Sequence, residues 1–191
     1  MLSISKIFKF LLPMLLITAC IIFLLNYVLH ELEKSRDDSY EYAVVINVID
    51  GDTYLVKISD RTEKIRLIGI DTPEKYENYK LYADTQRTKK DISTIKRLGN
   101  IASDYAEKLV KGKKVKLVKE IQGDERDKYG RLLRYVYLED GTFVNLKLIK
   151  DGYANVYTKY DYSLREDFIS AERYARENKL GLWSDSLSDF K

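Results

Sequence analysis

The chain has 191 residues, with 33 Lys or Arg against 30 Asp or Glu, and its formal net charge is +3. This mild basic excess is compatible with a polyanionic partner, but a solvated surface of mixed charge is the simpler explanation. The single cysteine, Cys20, and the single histidine, His30, both precede residue 42. The rest of the chain therefore contains neither residue type. This excludes zinc sites built on Cys or His, thiol nucleophiles, disulfides and a histidine general base from that part. Its remaining polar residues favour a hard cation bound by oxygen atoms.

The N-terminal part divides into a short basic segment (residues 1–9), an uncharged apolar segment (residues 10–29) and a polar tether (residues 30–41). Twenty helical residues span about 30 Å, the thickness of the hydrocarbon core of a bilayer. The apolar segment is apolar on every helical face, which argues against a buried core helix. It is therefore predicted to be a transmembrane helix with the N-terminus inside and one domain, residues 42–191, outside the cytoplasm.

Two other fates of the apolar segment stay open. A cleaved secretory signal would release the domain, although the apolar region of such signals is usually shorter. Lipidation is the third alternative, because Ile17, Thr18 and Ala19 before Cys20 resemble a bacterial lipoprotein cleavage box. The domain would thus be held at the cell membrane by a single span, secreted, or anchored by a lipid on Cys20, and in each case it lies outside the cytoplasm.

Five segments of the domain are predicted to be strands, and several of them are β-branched and apolar or alternate between two faces. Asp50 and Gly51 form a hairpin signal between the first two, and Pro73 ends the third because proline cannot donate to a strand ladder. The predicted strands are residues 42–49, 54–58, 63–70, 114–119 and 132–138.

Three segments, residues 91–111, 143–150 and 164–179, have the apolar spacing or the closing glycine of helices. Residues 75–90 are polar and rich in tyrosine, and we expect an ordered loop with partial helix. Strands followed by helices in this order predict an α+β domain, in which about three helices pack against a small closed sheet. A five-stranded oligonucleotide-binding (OB-fold) barrel is the simplest candidate.

Acidic residues and arginines lie at the ends of the predicted strands. Asp52 follows the first strand, Asp71 and Glu74 follow the third, and Arg66 and Arg131 accompany them. Each short motif alone is more commonly a turn, a helix N-cap or a surface ion pair. Together they suit metal-assisted cleavage of a phosphodiester, in which carboxylates hold a cation and guanidinium groups hold the phosphate.

Four motifs carry a more specific signal through their order and strand context. They are Val48-Ile49-Asp50-Gly51-Asp52-Thr53, Arg66-Leu67-Ile68-Gly69-Ile70-Asp71-Thr72-Pro73-Glu74, Asp127-Lys128-Tyr129-Gly130-Arg131 and Lys179-Leu180-Gly181-Leu182-Trp183-Ser184. With them, residues 42–184 resemble the staphylococcal nuclease (thermonuclease) family. The resemblance implies the OB-fold barrel and a calcium-dependent nuclease that hydrolyses DNA and RNA, is endonucleolytic and leaves 3′-phosphate ends.

The resemblance also implies roles around a calcium ion. Asp52 and Asp71 would be its carboxylate ligands, and Thr72 would supply its main-chain carbonyl. Asp50 would support the metal from the outer shell through water. Glu74 would position or deprotonate the attacking water.

For the substrate, the resemblance implies that Arg66 and Arg131 hold the scissile phosphate. The sequence departs from the family at Asn155, where a nucleotide-contacting tyrosine is usual, and in residues 75–96, which do not match the loop beside Glu74. Residues matching positions that line the nucleotide pocket are Lys128, Tyr129 and Tyr157.

Two other functions remain as alternatives. The same barrel could be a non-catalytic nucleic-acid-binding module tethered to the membrane, although such a module would be expected to lack some of the metal or phosphate residues. A membrane-tethered protein-interaction domain would leave all of them unexplained. No sequence feature indicates an obligate protein partner, and we expect a monomer.

Overall fold

The computed structural model describes residues 16–31 and 39–184. The chain divides into two compact units, Met1–Ser39 and Tyr40–Lys191. In the first unit, residues 16–31 form helix α1 with its apolar side chains exposed. No helix within the described residues has the length and apolar character needed to cross a bilayer. The predicted span at residues 10–29 lies partly outside the described residues, and membrane anchoring stays a prediction.

The second unit is built on a closed barrel of five strands, as the sequence predicted. Neighbours around the barrel are β1-β2-β3-β6-β5, antiparallel except for the parallel pair β3 and β6, while β4 and β7 form a separate two-stranded sheet. The strands are β1 (Tyr40–Asp50), β2 (Thr53–Ile58), β3 (Arg61–Leu67), β4 (Ile70–Asp71), β5 (Lys114–Val118), β6 (Leu132–Leu138) and β7 (Asn155–Val156).

The last residue of strand β1, Asp50, has an acidic side chain that lies inside the domain. Its early residues alternate, with Ala43 and Val45 in the core, and its pairing with β2 then shifts register twice, between Val45 and Asn47 and between Val48 and Asp50. Such bulges add a residue to one strand and re-aim the side chains that follow. Asp50 is consequently buried, at 7% exposure, although it directly precedes a turn.

The prediction that one strand runs through residues 63–70 was wrong. Strand β3 ends at Leu67, and after a turn the chain enters the separate strand β4. The turn is fixed by Asn145, whose side chain donates to the Ile68 carbonyl (2.9 Å) and accepts from the Val136 amide (2.9 Å). Asp71 therefore lies in the small β4–β7 sheet rather than at the rim of the barrel.

Gly69 makes this turn possible, and its replacement should be costly. Its φ is +74°, and a Cβ there would lie 2.6 Å from the ring of Tyr162 and 2.8 Å from Phe168. We expect Gly69→Ala to lower the free energy of unfolding by about 2–5 kcal/mol, the sum of left-handed strain and overpacking. Urea unfolding followed by circular dichroism measures it.

Gly141→Ala is the matched control, because Gly141 has a φ of +84° but a Cβ there would meet no atom within 4 Å. It should lose only the backbone term, about 1–2 kcal/mol. Equal losses in the two variants would contradict the packing argument.

The domain contains four α-helices and one 3-10 helix within residues 39–184, one α-helix more than predicted. The addition is α2, in the segment expected to be a loop with partial helix; the Asn78 side chain caps it by accepting from the Leu81 amide at 3.0 Å. Leu81 is fully buried and fixes α2 on the domain. The helices are α2 (Tyr79–Thr88), α3 (Ile92–Val110), α4 (Val144–Lys150) and α5 (Arg165–Glu177), followed by the 3-10 helix Gly181–Trp183.

Candidate active site

An open cleft of about 980 Å³ collects the residues that the sequence singled out. Nine of the ten residues with predicted roles line it, and the tenth, Thr72, is buried and bonded to one of them, Asp52. Their roles stay predictions, but residues up to 107 positions apart in the chain, Asp50 and Tyr157, share one site. The nine are Asp50, Asp52, Arg66, Asp71, Glu74, Lys128, Tyr129, Arg131 and Tyr157.

The β1–β2 turn packs directly on the segment after β4, and this contact assembles the carboxylates. The Asp52 Oδ2 atom accepts from the amide of Thr72 at 3.0 Å and from its hydroxyl at 3.2 Å, while Oδ1 accepts from Thr53 at 3.0 Å. A Cβ at Gly51 would lie 2.8 Å from the Thr72 side chain, so glycine permits the approach. Asp52 and Asp71 are thereby buried side by side.

Arg66 bridges these two carboxylates. Its Nη2 atom lies 3.1 Å from Asp52 Oδ2 and 3.4 Å from Asp71 Oδ1, while Nη1 donates to the Leu67 carbonyl at 2.8 Å. Burial alone would lower the pKa of Arg66, but the two carboxylates outweigh it and raise that pKa. Burial would likewise raise the pKa of Asp52, but Arg66, Lys80 and two hydrogen bonds lower it. Both groups are charged at neutral pH.

Lys80, on α2, is a second cation at the carboxylates, and no sequence motif indicated it. Its Nζ atom lies 2.6 Å from the Thr72 carbonyl oxygen and 3.1 Å from Asp71 Oδ1. Burial would lower the pKa of Lys80, but Asp52 and Asp71 raise it. Lys80 was missed because it lies in the segment that departs from the family pattern and because lysine is ordinary in a polar helix.

The oxygen atoms suit a hard cation. The Lys80 ammonium already contacts Asp71 and the Thr72 carbonyl, so these oxygens converge closely enough to bind one positive charge, with Asp52 adjacent. Within residues 16–31 and 39–184 no group of three or more Asp, Glu, His or Cys side chains is arranged to hold a metal ion. A metal would therefore rest on two carboxylates and one carbonyl, a donor set that fits calcium.

Glu74 and Asp50 form a second acidic pair. Their side chains are hydrogen-bonded, and burial, followed by the charges of Asp52 and Glu74, raises the pKa of Asp50 to about 8. Asp50 is therefore mostly protonated at neutral pH, and its Oδ1 atom also accepts from the Ser103 hydroxyl at 3.0 Å. The Glu74 backbone lies against α3, where a Cβ at Gly99 would be 2.7 Å from it.

Arg131 is oriented from two sides. Its Nε and Nη2 atoms lie 2.7 Å and 2.6 Å from Asp127 Oδ2, and its Nη1 donates to the Thr53 hydroxyl at 3.1 Å. The Thr53 hydroxyl donates in turn to Asp52, so one chain of hydrogen bonds links the guanidinium to the carboxylates. Asp127 belongs to a matching motif but had no assigned role; the structure makes it the residue that positions Arg131.

Aromatic and basic side chains line the rest of the cleft. Tyr129 is 72% exposed, and Lys128 Nζ lies 5.0 Å from its ring centroid. The ring of Tyr157 is 5.1 Å from that of Tyr160, which also lines the cleft and which sequence reasoning missed. These exposed rings offer surfaces on which bases can stack.

Asn155 differs in kind from the tyrosine usual at its position. It pairs with Asp71 across β4 and β7, and its side-chain amide lies 3.4 Å from the Asp71 carbonyl oxygen. The asparagine thus braces the backbone that carries a predicted metal ligand, whereas a tyrosine would offer a ring to the nucleotide.

Comparison with known proteins agrees with this geometry. Residues 64–185 match the staphylococcal nuclease homologue family. The uncharacterized protein MJ1439 of Methanocaldococcus jannaschii is 37% identical over 155 residues, covering 77% of this chain and 74% of that protein. The thermonuclease of Staphylococcus hyicus is 33% identical over 155 residues, covering 81% and 80%. Endonuclease YncB of Bacillus subtilis is 37% identical over 140 residues, covering 72% and 59%. The chain belongs to the staphylococcal nuclease family.

Proposed function

We propose that this protein is a calcium-dependent nuclease that hydrolyses phosphodiester bonds of DNA and RNA outside the cytoplasm. The observation that carries the proposal is the convergence of two buried carboxylates and two arginines in a single open cleft, with the Thr72 carbonyl next to Asp71. That the chain is a nuclease, a hydrolase of ester bonds, follows from its relationship to thermonucleases and endonucleases over most of its length.

The proposed metal is calcium, held by Asp52, Asp71 and the Thr72 carbonyl. When bound, it supplies positive charge against the phosphate and orients it. Three protein ligands of the six to eight that calcium takes leave room for water and substrate and imply weak binding. Weak binding suits an exterior location, where calcium is abundant.

The chain's own residues account for the remaining steps. Arg66 and Arg131 each present a planar pair of donors to the phosphate oxygens, which lysine cannot do. Glu74 orients the attacking water and accepts its proton, and Asp50, which is hydrogen-bonded to Glu74, holds the side chain of Glu74 in place. The water oxygen bonds to phosphorus, the P–O5′ bond breaks and the 5′ oxygen takes a proton from solvent, which leaves the 3′-phosphate ends that the family resemblance implies.

Substrate breadth follows from how the cleft would hold a strand. Lys128 is placed to contact the negatively charged phosphates of the nucleic-acid backbone, while Tyr129 and Tyr157 offer rings on which bases can stack. Stacking accepts any base, which suits action on both DNA and RNA. The cleft is open at its sides, which suits internal cleavage of a long strand.

Location is proposed from residues 10–29, read as a membrane anchor. In this arrangement the barrel unit, which begins at Tyr40, lies outside the cell membrane on a short polar tether. Secretion after cleavage and a lipid on Cys20 are the two other routes to the same exterior location; Cys20 is exposed on α1.

The test is cleavage of single-stranded DNA and RNA by the full chain in detergent, with calcium and then with EGTA. Cleavage of both polymers that stops in EGTA and in an Asp52→Asn, Asp71→Asn double variant is the expected result. Binding without cleavage, by protein shown to be folded and calcium-loaded, would instead favour a non-catalytic binding module. Cleavage that persists in EGTA would refute calcium dependence while leaving a nuclease.

A further inference from the structure

We propose that Lys80 is a built-in competitor of the metal: its ammonium group occupies the oxygens that calcium would use, and calcium binds only when this side chain withdraws. The inference rests on the calcium site proposed above and adds a residue of α2 that sets the affinity of that site. It assigns a function to the segment in which this chain departs most from its family.

The contact geometry identifies the competition. Lys80 Nζ lies 2.6 Å from the Thr72 carbonyl and 3.1 Å from Asp71 Oδ1, and these are two of the three proposed calcium ligands. Calcium contacts its oxygens at about 2.3–2.6 Å. An ammonium group and a calcium ion cannot share two oxygens at such distances, because each would lie within the other's contact radius and carry like charge.

Helix α2 aims Lys80 at this point. The helix is fastened next to it by Leu81, which is fully buried, and at its start by the Asn78 cap. The Lys80 side chain itself remains 35% exposed. A fixed backbone with a partly exposed, flexible side chain allows the ammonium to leave the oxygens without unfolding the helix.

The charge balance explains why a lysine is useful here. Asp52 and Asp71 are both buried, and Arg66 alone supplies one positive charge between them. Burying an uncompensated charge is strongly unfavourable. Lys80 supplies the second charge, so the metal-free protein has two cations against two carboxylates and remains folded when calcium is scarce.

Asp84 offers the withdrawn side chain a second partner. It lies four residues after Lys80 on α2, a spacing that brings side chains together on one helix face. Asp84 is buried at 7% exposure, lines the same cleft and pairs with Arg87 at 2.7 Å. We infer that Lys80 moves from Asp71 to Asp84 when calcium enters.

Competition has a measurable consequence. The apparent affinity for calcium is reduced by the fraction of molecules in which Lys80 has withdrawn. The wild-type protein should therefore bind calcium more weakly than its oxygen ligands alone would allow, and it should fill the site only where calcium is plentiful.

The experiment is calcium titration calorimetry on the full chain in detergent, comparing wild type with Lys80→Met, which keeps the length of the side chain but removes its charge. We expect the Kd for calcium to fall at least about tenfold in Lys80→Met. We also expect a lower melting temperature than wild type in EGTA and a larger rise on adding calcium. Lys96→Met is the matched control, since Lys96 pairs with Glu77 at 3.1 Å on the surface, and its Kd should equal that of wild type.

Asp84→Asn tests the same inference in the opposite direction and does not depend on the folding of Lys80→Met. Removing the receiving carboxylate should raise the Kd for calcium. A Kd unchanged or raised in folded Lys80→Met, or unchanged in Asp84→Asn, would overturn the inference while leaving the calcium proposal intact. Absence of calcium binding by every variant would refute both. Cleavage in EGTA that is lost in Lys80→Met would make Lys80 a replacement for the metal rather than its competitor.

Discussion

Glu74→Gln is expected to lower kcat about 10²–10⁴-fold, the contribution typical of a general base. Asp52 and Asp71 are engaged by Arg66, whereas Glu74 is held by Asp50 and lies 3.5 Å from the amide of Tyr76. Its carboxylate is thus the one best placed to take a proton from water. Glutamine keeps the shape and the hydrogen bonding but cannot accept that proton. Steady-state cleavage of single-stranded DNA measures the effect.

Glu77→Gln is the control for this change, because Glu77 lies three residues further on and its side chain is 65% exposed. It should retain wild-type kcat. Calcium titration should show that Glu74→Gln still binds the metal, which separates loss of a base from loss of the site. A folded, calcium-binding Glu74→Gln with wild-type kcat would remove Glu74 from the chemistry.

Arg131→Lys should lower kcat about 10²–10³-fold, as loss of one preorganised transition-state donor does elsewhere. The fork of Arg131 is aligned by Asp127 at 2.7 Å and 2.6 Å and by Thr53 at 3.1 Å. Lysine keeps the charge but provides neither the paired donors nor this alignment. Because Arg131 lies at the surface of the cleft, stability should change little, and thermal unfolding checks that.

Arg61→Lys is the matched control, since Arg61 is also paired with a carboxylate, Glu41 at 2.6 Å, but lies outside the cleft. Its kcat should be that of wild type. Wild-type turnover by folded Arg131→Lys would show that only the positive charge of Arg131 matters and that its paired donors do not. Arg66→Lys should also lose activity, but Arg66 bridges two buried carboxylates, so that loss would be mixed with lost stability.

Local pattern was enough to predict the barrel. The predicted strands at residues 54–58 and 132–138 match β2 and β6 closely, because both are mainly apolar runs whose side chains are largely buried. It misjudged the third strand, since Ile68 and Ile70 continue the apolar pattern across a break. The break depends on Asn145, 77 residues after Ile68, and no local pattern could indicate it.

The candidate site also contains residues that local motifs predicted and residues that they did not. Motifs predicted Asp52, Asp71 and Arg131, because the segments beside β1, β4 and β6 that carry them meet in one cleft. Asn155 depends instead on a contact between distant segments, β7 against β4, and Lys80 depends on how α2 packs against the turn after β4. In residues 75–90, which contain Lys80, the resemblance offered no matching positions and the sequence shows no apolar periodicity.

The close packing of α3 on the turn after β4 bears on how this site could diversify. Because Gly99 has no side chain, the backbone of α3 packs directly on the Pro73–Glu74 peptide. This contact holds in place the backbone that carries the Glu74 side chain. Gly99 comes after residues 75–90 in the chain. These residues therefore connect two positions, Glu74 and Gly99, that already contact each other. The length and composition of residues 75–90 can change in evolution without displacing Glu74. The segment can therefore acquire new residues such as Lys80.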